Sequence, residues 1–355
     1  MPDETGIKKF LDRSVDALLP LLAVPIALLI GAIILLVMDV NPLKAYSVLI
    51  VGAFGDVSGI TQTLVKATPL LLVGLGVTIA FRGGVINIGG EGQLVVGALS
   101  TTALALELKT WPGWALIPLS LLAGAAAGAI WGGIPGVLRS RLGVNEILST
   151  VMMNAIAAQL ANFLLRGPMM DPFQREAGTF LPESARIPQQ AWLLRLIPQT
   201  SLHAGLFIAL VLAVLVYIFL WRTSTGYRIR AVGLNPAASR YAGINVPFYE
   251  TLALTLGGVF AGLAGSVEVM GLHHNMLQYL SSGYGFSGIV AALFGKLHPL
   301  GAIPASILFG GLLVGGDKMQ RAVQVPSALV DALLGLIGLL VVSSEVYSRR
   351  WARRR

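Results

Sequence analysis

From about Val15 onward the chain repeatedly enters apolar runs of around 20 residues, and nothing else in it restricts the fold so strongly. A run of that length crosses the hydrocarbon of a bilayer as a helix. A helix also satisfies its own backbone in lipid, which an open strand does not. Composition agrees: 55% of the 355 residues are hydrophobic and 12% are charged, against about 25% charged in a soluble domain. Mean hydropathy is +0.78. The expected fold class is an all-α polytopic membrane protein of about ten transmembrane helices. The chain has no cysteine, so disulfides, thiolate metal sites and cysteine nucleophiles are excluded.

Residues 1–14 are polar and form an N-terminal segment, followed by a first helix from about Val15 to Met38 that is too long for a signal-peptide core. A single membrane domain is expected over 15–343, with a basic tail at 344–355. Residues 39–59 read as a mixed connection. Further helices are expected at about 60–81, from the glycine-rich stretch at 82 to 106, and over 115–138, 147–165, 203–221, 248–270, 300–316 and 326–343. The run at 284–298 is apolar but short, and reads as a tilted or broken helix. Gly124, Gly128 and Gly132 leave one face of the 115–138 helix open to close helix packing. The longest external loop, 166–202, carries five prolines.

Ten crossings divide the 25 Lys and Arg so that 16 fall on the side of the N-terminus, among them Arg82, Arg139, Arg141, Arg228, Arg230, Arg240 and five arginines between Arg349 and Arg355. By the positive-inside rule both termini are cytoplasmic. The net charge of +8 is thus a topology signal and not a nucleic-acid surface.

Two stretches depart from plain spanning helix. Arg82–Ala98, RGGVINIGGEGQLVVGA, holds six glycines together with Asn87, Glu91 and Gln93. Glycine costs a helix about 1 kcal/mol per site, and polar groups at membrane depth belong where they are packed in protein or line a wet path. If the turn is helical, Asn87 and Glu91 share a face. Asn154, Gln159 and Asn162 on the 147–165 helix are interhelical ties or path contacts, whereas Asn145 and Glu146 suit a helix cap. Lys66, Glu268 and Asp331 are intramembrane charges for which pairing is expected. The second stretch, Thr225–Ile244, places Asn235 and Pro236 as N-cap and first helical residue of a short exposed helix that Gly243 ends. His273 and His274 read as a polar outer loop.

No catalytic constellation is present. Gly288 to Lys296 has six residues between its glycines and no hydroxyl after the lysine, so it is not a phosphate-binding loop. The segments GGVINIGGEGQLVVGA (83–98), GVNEILSTVMMNAIA (143–157), TGYRIRAVGLNPAASRYAGI (225–244) and YGFSGIVAALFGKLHPLG (284–301) resemble the permease subunits of bacterial ABC importers. The likeness is to the branched-chain amino acid, ribose and nucleoside permease family, and within it to the nucleoside and simple-sugar branch, over about residues 60–345.

The resemblance implies a permease that passes a small polar solute, a nucleoside first and a simple sugar next, by alternating access in the bacterial cytoplasmic (inner) membrane. It implies a second permease subunit, similar or identical, an extracytoplasmic binding protein or lipoprotein, and ABC ATPase subunits that bind ATP and magnesium in trans. This chain is then not an enzyme and has no cofactor of its own. The ATPase-coupling segment maps onto Asn235, Pro236, Ala237, Ala238, Ser239, Arg240, Tyr241, Ala242 and Gly243 in the loop 222–247. Asn87, Glu91, Gln93, Asn154, Asn162 and Ser287 are the candidate path residues; Ser287 stands where many relatives carry an acid. An ion-coupled secondary transporter is the alternative.

Overall fold

The computed structural model describes residues 25–340 and 343, apart from 177, 180, 327, 330, 331 and 334. The expected segment 1–14, the start of the first helix, Asp331 and the tail 344–355 lie outside the described residues. Among those described the chain is all-helical with no strand; three isolated bridges occur, one of them Glu183 to Leu277. Six helices are long and apolar enough to cross a membrane.

The chain packs as two compact units, 1–63 with 311–355, and 64–310. The first holds α1 (Pro25–Val37) and α2 (Pro42–Phe54). Helix α2 corrects the expected connection at 39–59. Asn41 caps it, its side chain accepting from the N–H groups of Leu43 at 2.9 Å and Lys44 at 3.4 Å, with Pro42 as first helical residue. The Asn-Pro start at 41–42 is the same local signal as that at 235–236. A Cβ on Gly315 would lie 2.3 Å from the Leu49 carbonyl oxygen, so glycine is required for this approach to α2. Lys318 pairs with Asp56 at 3.5 Å.

The second unit draws on α3 (Val57–Arg82), α4 (Gly90–Glu107), α5 (Gly113–Leu142), α6 (Glu146–Leu165), a short α7 (Pro172–Glu176) and α8 (Gly205–Arg222). It continues through α9 (Ser224–Leu234), α10 (Pro236–Tyr241), α11 (Val246–Glu268), α12 (Tyr284–Phe294) and α13 (Pro299–Val323). α3 and α11 are buried along most of their length, while α5, α6 and α8 turn broad apolar faces outward. The small residues read on α5 meet their counterparts on α11. A Cβ on Gly128 would fall 2.2 Å from the Gly258 oxygen, and one on Gly262 2.2 Å from the Gly124 oxygen. Backbones this close gain dispersion contacts that larger side chains would prevent.

Helix α4 starts at Gly90, not at the glycine stretch's beginning, so Asn87 lies in irregular backbone and shares no helical face with Glu91. α12 has 11 residues, about 16 Å at 1.5 Å per residue, well short of the roughly 30 Å of hydrocarbon. The 222–247 loop holds two helices where one was expected. Residues Val269–His273 continue α11 as a π-turn.

Candidate functional site

Residues 83–89 are held between α3 and α4 by side-chain amides. Asn87 and Gln93 are buried and exchange reciprocal hydrogen bonds, Asn87 Nδ2 donating to Gln93 Oε1 at 3.0 Å and Gln93 Nε2 to Asn87 Oδ1 at 3.1 Å. Asn87 Oδ1 also accepts from the Gly89 N–H at 2.9 Å. From α6, Asn154 donates to the Ile88 carbonyl at 3.0 Å and accepts from the Gly92 N–H at 2.8 Å. Glu146 pairs with Arg139 and accepts from Ile86 N–H at 3.4 Å, while Asn145 caps α6. The break in the helix therefore leaves few backbone groups unsatisfied, which is what makes it tolerable at membrane depth.

Beside this break lies a cavity of about 230 Å³ lined by Glu91, Gly92, Val95, Asn154, Ala158, Ala161, Asn162, Met276, Gln278, Tyr279, Leu280 and Ser281. Three of the six predicted path residues, Glu91, Asn154 and Asn162, come together in it. Asn87 and Gln93 form the brace behind it, and Ser287 is half-buried on α12 outside its lining. Glu91 Oε1 accepts the Gly283 N–H at 3.1 Å and Oε2 the Gly285 N–H at 2.7 Å. Asn162 Oδ1 accepts from Gln278 Nε2 at 2.5 Å. Gln278, Tyr279 and Ser281 were missed in the sequence, where no periodicity marks them. The GYG at 283–285, with its two glycines, was the available signal. The wall offers hydrogen-bonding groups between apolar patches, and one carboxylate is its charged group, a lining suited to a small neutral polar solute.

One end of the second unit is capped by the 166–202 loop paired with residues 270–278. Ser184 N–H donates to the Met276 carbonyl at 2.9 Å, Ile187 N–H to His274 at 2.8 Å and Leu193 N–H to Met270 at 2.9 Å. His273 and His274 are not a plain polar loop. His273 pairs with the buried Glu268 at 3.4 Å, and His274 is buried and stacked on Trp192 at 3.8 Å. Both Glu268 oxygens are buried without a hydrogen bond, so the His273 contact meets the expected pairing only when that ring is protonated.

At the opposite end, Asn235 caps α10, its side chain accepting the Ala238 N–H at 3.0 Å, and Gly243 follows at φ +78°, a conformation that glycine adopts without strain. Ala237, Ala238, Arg240, Tyr241 and Ala242 are exposed and Ser239 is buried. Leu234 and Tyr241 stand 87% and 95% exposed, flanking the helix with large apolar groups. α9 seats this knob on the helix ends: a Cβ on Gly233 would be 2.1 Å from the Arg82 carbonyl oxygen, and one on Gly226 2.0 Å from that of Phe219. Arg82 donates to the Leu297 carbonyl at 2.9 Å, and Arg82 and Arg230 each lie over the Trp221 ring, at 5.5 and 5.4 Å. Burial first, then the charge of Arg82, lowers the pKa of the adjacent His298.

Six helices long and apolar enough to cross a membrane among the described residues, with a polar cavity beside the break between α3 and α4, define a multi-pass helical membrane protein. The chain belongs to the family described as branched-chain amino acid transport system / permease component, whose model matches residues 59–342. It is 37% identical to a glucose ABC transporter permease protein of Haloferax volcanii, over 93% of this chain and 88% of that one. It is 36% identical to a guanosine ABC transporter permease protein of Bacillus subtilis, over 92% and 93%. A nucleoside ABC transporter permease protein of Lactococcus lactis subsp. cremoris is 35% identical, over 92% and 90%. The resemblance to the nucleoside and simple-sugar branch is therefore sustained by relatives along nearly the whole chain.

Proposed function

We propose that this permease passes a nucleoside, or next a simple sugar, to the cytoplasm through the cavity lined by Glu91, Asn154 and Asn162. The carrying observation is the continuity from that cavity, through residues 83–89, to Arg82, Gly233 and the exposed helix α10. An ABC ATPase subunit docks on α10 and holds ATP and magnesium; this chain supplies no cofactor and no hydrolytic chemistry. The exposed Leu234 and Tyr241 support that docking, since large apolar groups protruding from a polar loop are covered by a partner.

The binding protein delivers solute to the cap built from 182–193 and 270–278. The outward apolar face of α6 (Leu148, Met152, Ile156, Phe163) adjoins the cavity and supports a second permease subunit, similar or identical, that closes the path. ATP-driven movement of α10 then favours one of two arrangements of the bundle, which is alternating access. Ten crossings with both termini cytoplasmic, in a bacterial inner membrane, complete the reading. The names of the relatives supply the solute classes.

Reconstitution in vesicles with the ATPase subunit and binding protein tests it. ATP-dependent uptake of radiolabelled guanosine, and weaker or no uptake of glucose, is expected. Uptake driven by an ion gradient in vesicles lacking the ATPase would replace this reading with a secondary transporter.

A further inference from the structure

The segment 274–285 walls the cavity; its first part is bound to the 166–202 loop, Met276 N–H donating to Ser184 Oγ at 2.9 Å and Gln278 N–H to the Pro182 carbonyl at 3.1 Å, while Glu91 holds its far end. Four of its non-glycine or glycine residues adopt left-handed backbone: His274 at φ +60°, Tyr279 at +62°, Ser282 at +44° and Gly283 at +78°. Three of these carry side chains, and such residues persist in that region only when their surroundings hold them there. Around Tyr279 to Gly285 two side-chain ties face the cavity: the Glu91 carboxylate on the N–H groups of Gly283 and Gly285, and Asn162 on Gln278. Met276, Leu280 and Ser281 are the buried side chains by which this segment lines the cavity. Glu91 also reaches α12 at its first turn, where a Cβ on Gly285 would lie 2.2 Å from the Glu91 N atom. The carboxylate is thus the cap of α12, supplied from another helix.

We propose that Glu91 is a latch: its carboxylate holds the 276–285 segment over the solute cavity, and letting go of Gly283 and Gly285 uncovers it. This rests on the permease reading for its purpose. Each carboxylate oxygen accepts one backbone N–H and keeps further acceptor capacity. A solute hydroxyl or N–H entering the cavity is accepted at this remaining capacity, and sharing the carboxylate's charge among more donors weakens each bond to the lid. Glu91 acts here on the backbone of the covering segment, as a positioning residue.

Because the chain has no cysteine, thiol labelling reads the lid without background. Ser281→Cys is close in size, sits 6% exposed on the cavity wall, and is labelled with a water-soluble maleimide in the full-length purified chain. Adding Glu91→Gln, which preserves size and removes the charge, is expected to raise the labelling rate about tenfold, the scale of losing charge-assisted hydrogen bonds. Gln278→Ala removes the neighbouring side-chain tie to Asn162 while the backbone bonds of Met276 and Gln278 to the 166–202 loop remain, and is expected to raise the rate several-fold, so the test survives if the Glu91 variant does not accumulate. Ser306→Cys, fully buried elsewhere in the same unit, is expected to stay unlabelled in both backgrounds. Unchanged labelling at Ser281→Cys, or an equal rise at Ser306→Cys, overturns the latch. Absence of uptake by the unmodified complex would instead overturn the permease reading, and the labelling result would stand apart from it.

Discussion

His203 is buried at 1% exposure just ahead of α8, with Nδ1 accepting the Gly205 N–H at 3.2 Å. That bond requires the neutral ring. Burial first, then the neighbouring His274, lowers its pKa from 6.5 to about 4. The unfolded chain keeps the ordinary value, so between about pH 6.5 and 4 the unfolded state binds more protons and the folded state loses stability as pH falls. Above pH 6.5 this contribution is fully present. The melting temperature of the detergent-solubilised protein is expected to fall by several degrees from pH 7 to pH 5, with a shallower slope in His203→Gln; equal slopes would count against it. At this scale the sequence marks which residues are unusual but not what they touch. Asn87, Glu91 and Asn154 all stood out as polar groups near mid-membrane. Only folding divided them into an internal amide pair, a cap for a distant helix and a brace for a chain break. The amide pair is local, six residues apart, but the partners of Glu91 in Gly285 and of Asn154 in Ile88 are set by tertiary packing.

Among elements, α10 was the most legible. Asn235, Pro236 and Gly243 carry its start and stop chemistry locally, and the helix found at Pro236–Tyr241 follows from them. Ala238 is exposed on it, so a bulky charge there leaves the fold intact and spoils a docking surface. Ala238→Glu is expected to insert normally and hydrolyse ATP with its ATPase partner while losing solute uptake at least tenfold. Retained uptake would remove α10 from the coupling role. The same Asn-Pro chemistry at Asn41 and Pro42 starts α2, which the hydropathy pattern hides because Asp39 and, later, Asp56 and Ser58 break the apolar run. The start of α4 was misplaced for another reason. Glycines at 83, 84, 89 and 90 permit helix or break equally, and the choice fell to Asn87, Gln93 and Asn154, which hydrogen-bond the broken form.

For the molecule as a whole, the lack of cysteine makes topology measurable. A single cysteine at Gln199 in the 166–202 loop is expected to react with impermeant reagent on intact cells, and one at Ala237 only after permeabilisation. The reverse pattern would invert the orientation that the 16 basic residues indicate. Length and polarity of the apolar runs were enough to dictate a helical membrane protein, since lipid offers the backbone no other partner. Spacing of small residues on α5 was enough to announce close packing. The sequence by itself thus determined class, the positions of most long helices, the α10 knob and the family. Only tertiary structure decided which helix met those glycines, that the 166–202 loop closes on 270–278, and that Glu91, Asn154 and Asn162 share one cavity with Gln278. The physical reason is range: capping, hydropathy and helix periodicity act within a few residues of chain, whereas a cavity is made by side chains over a hundred residues apart that packing alone brings together.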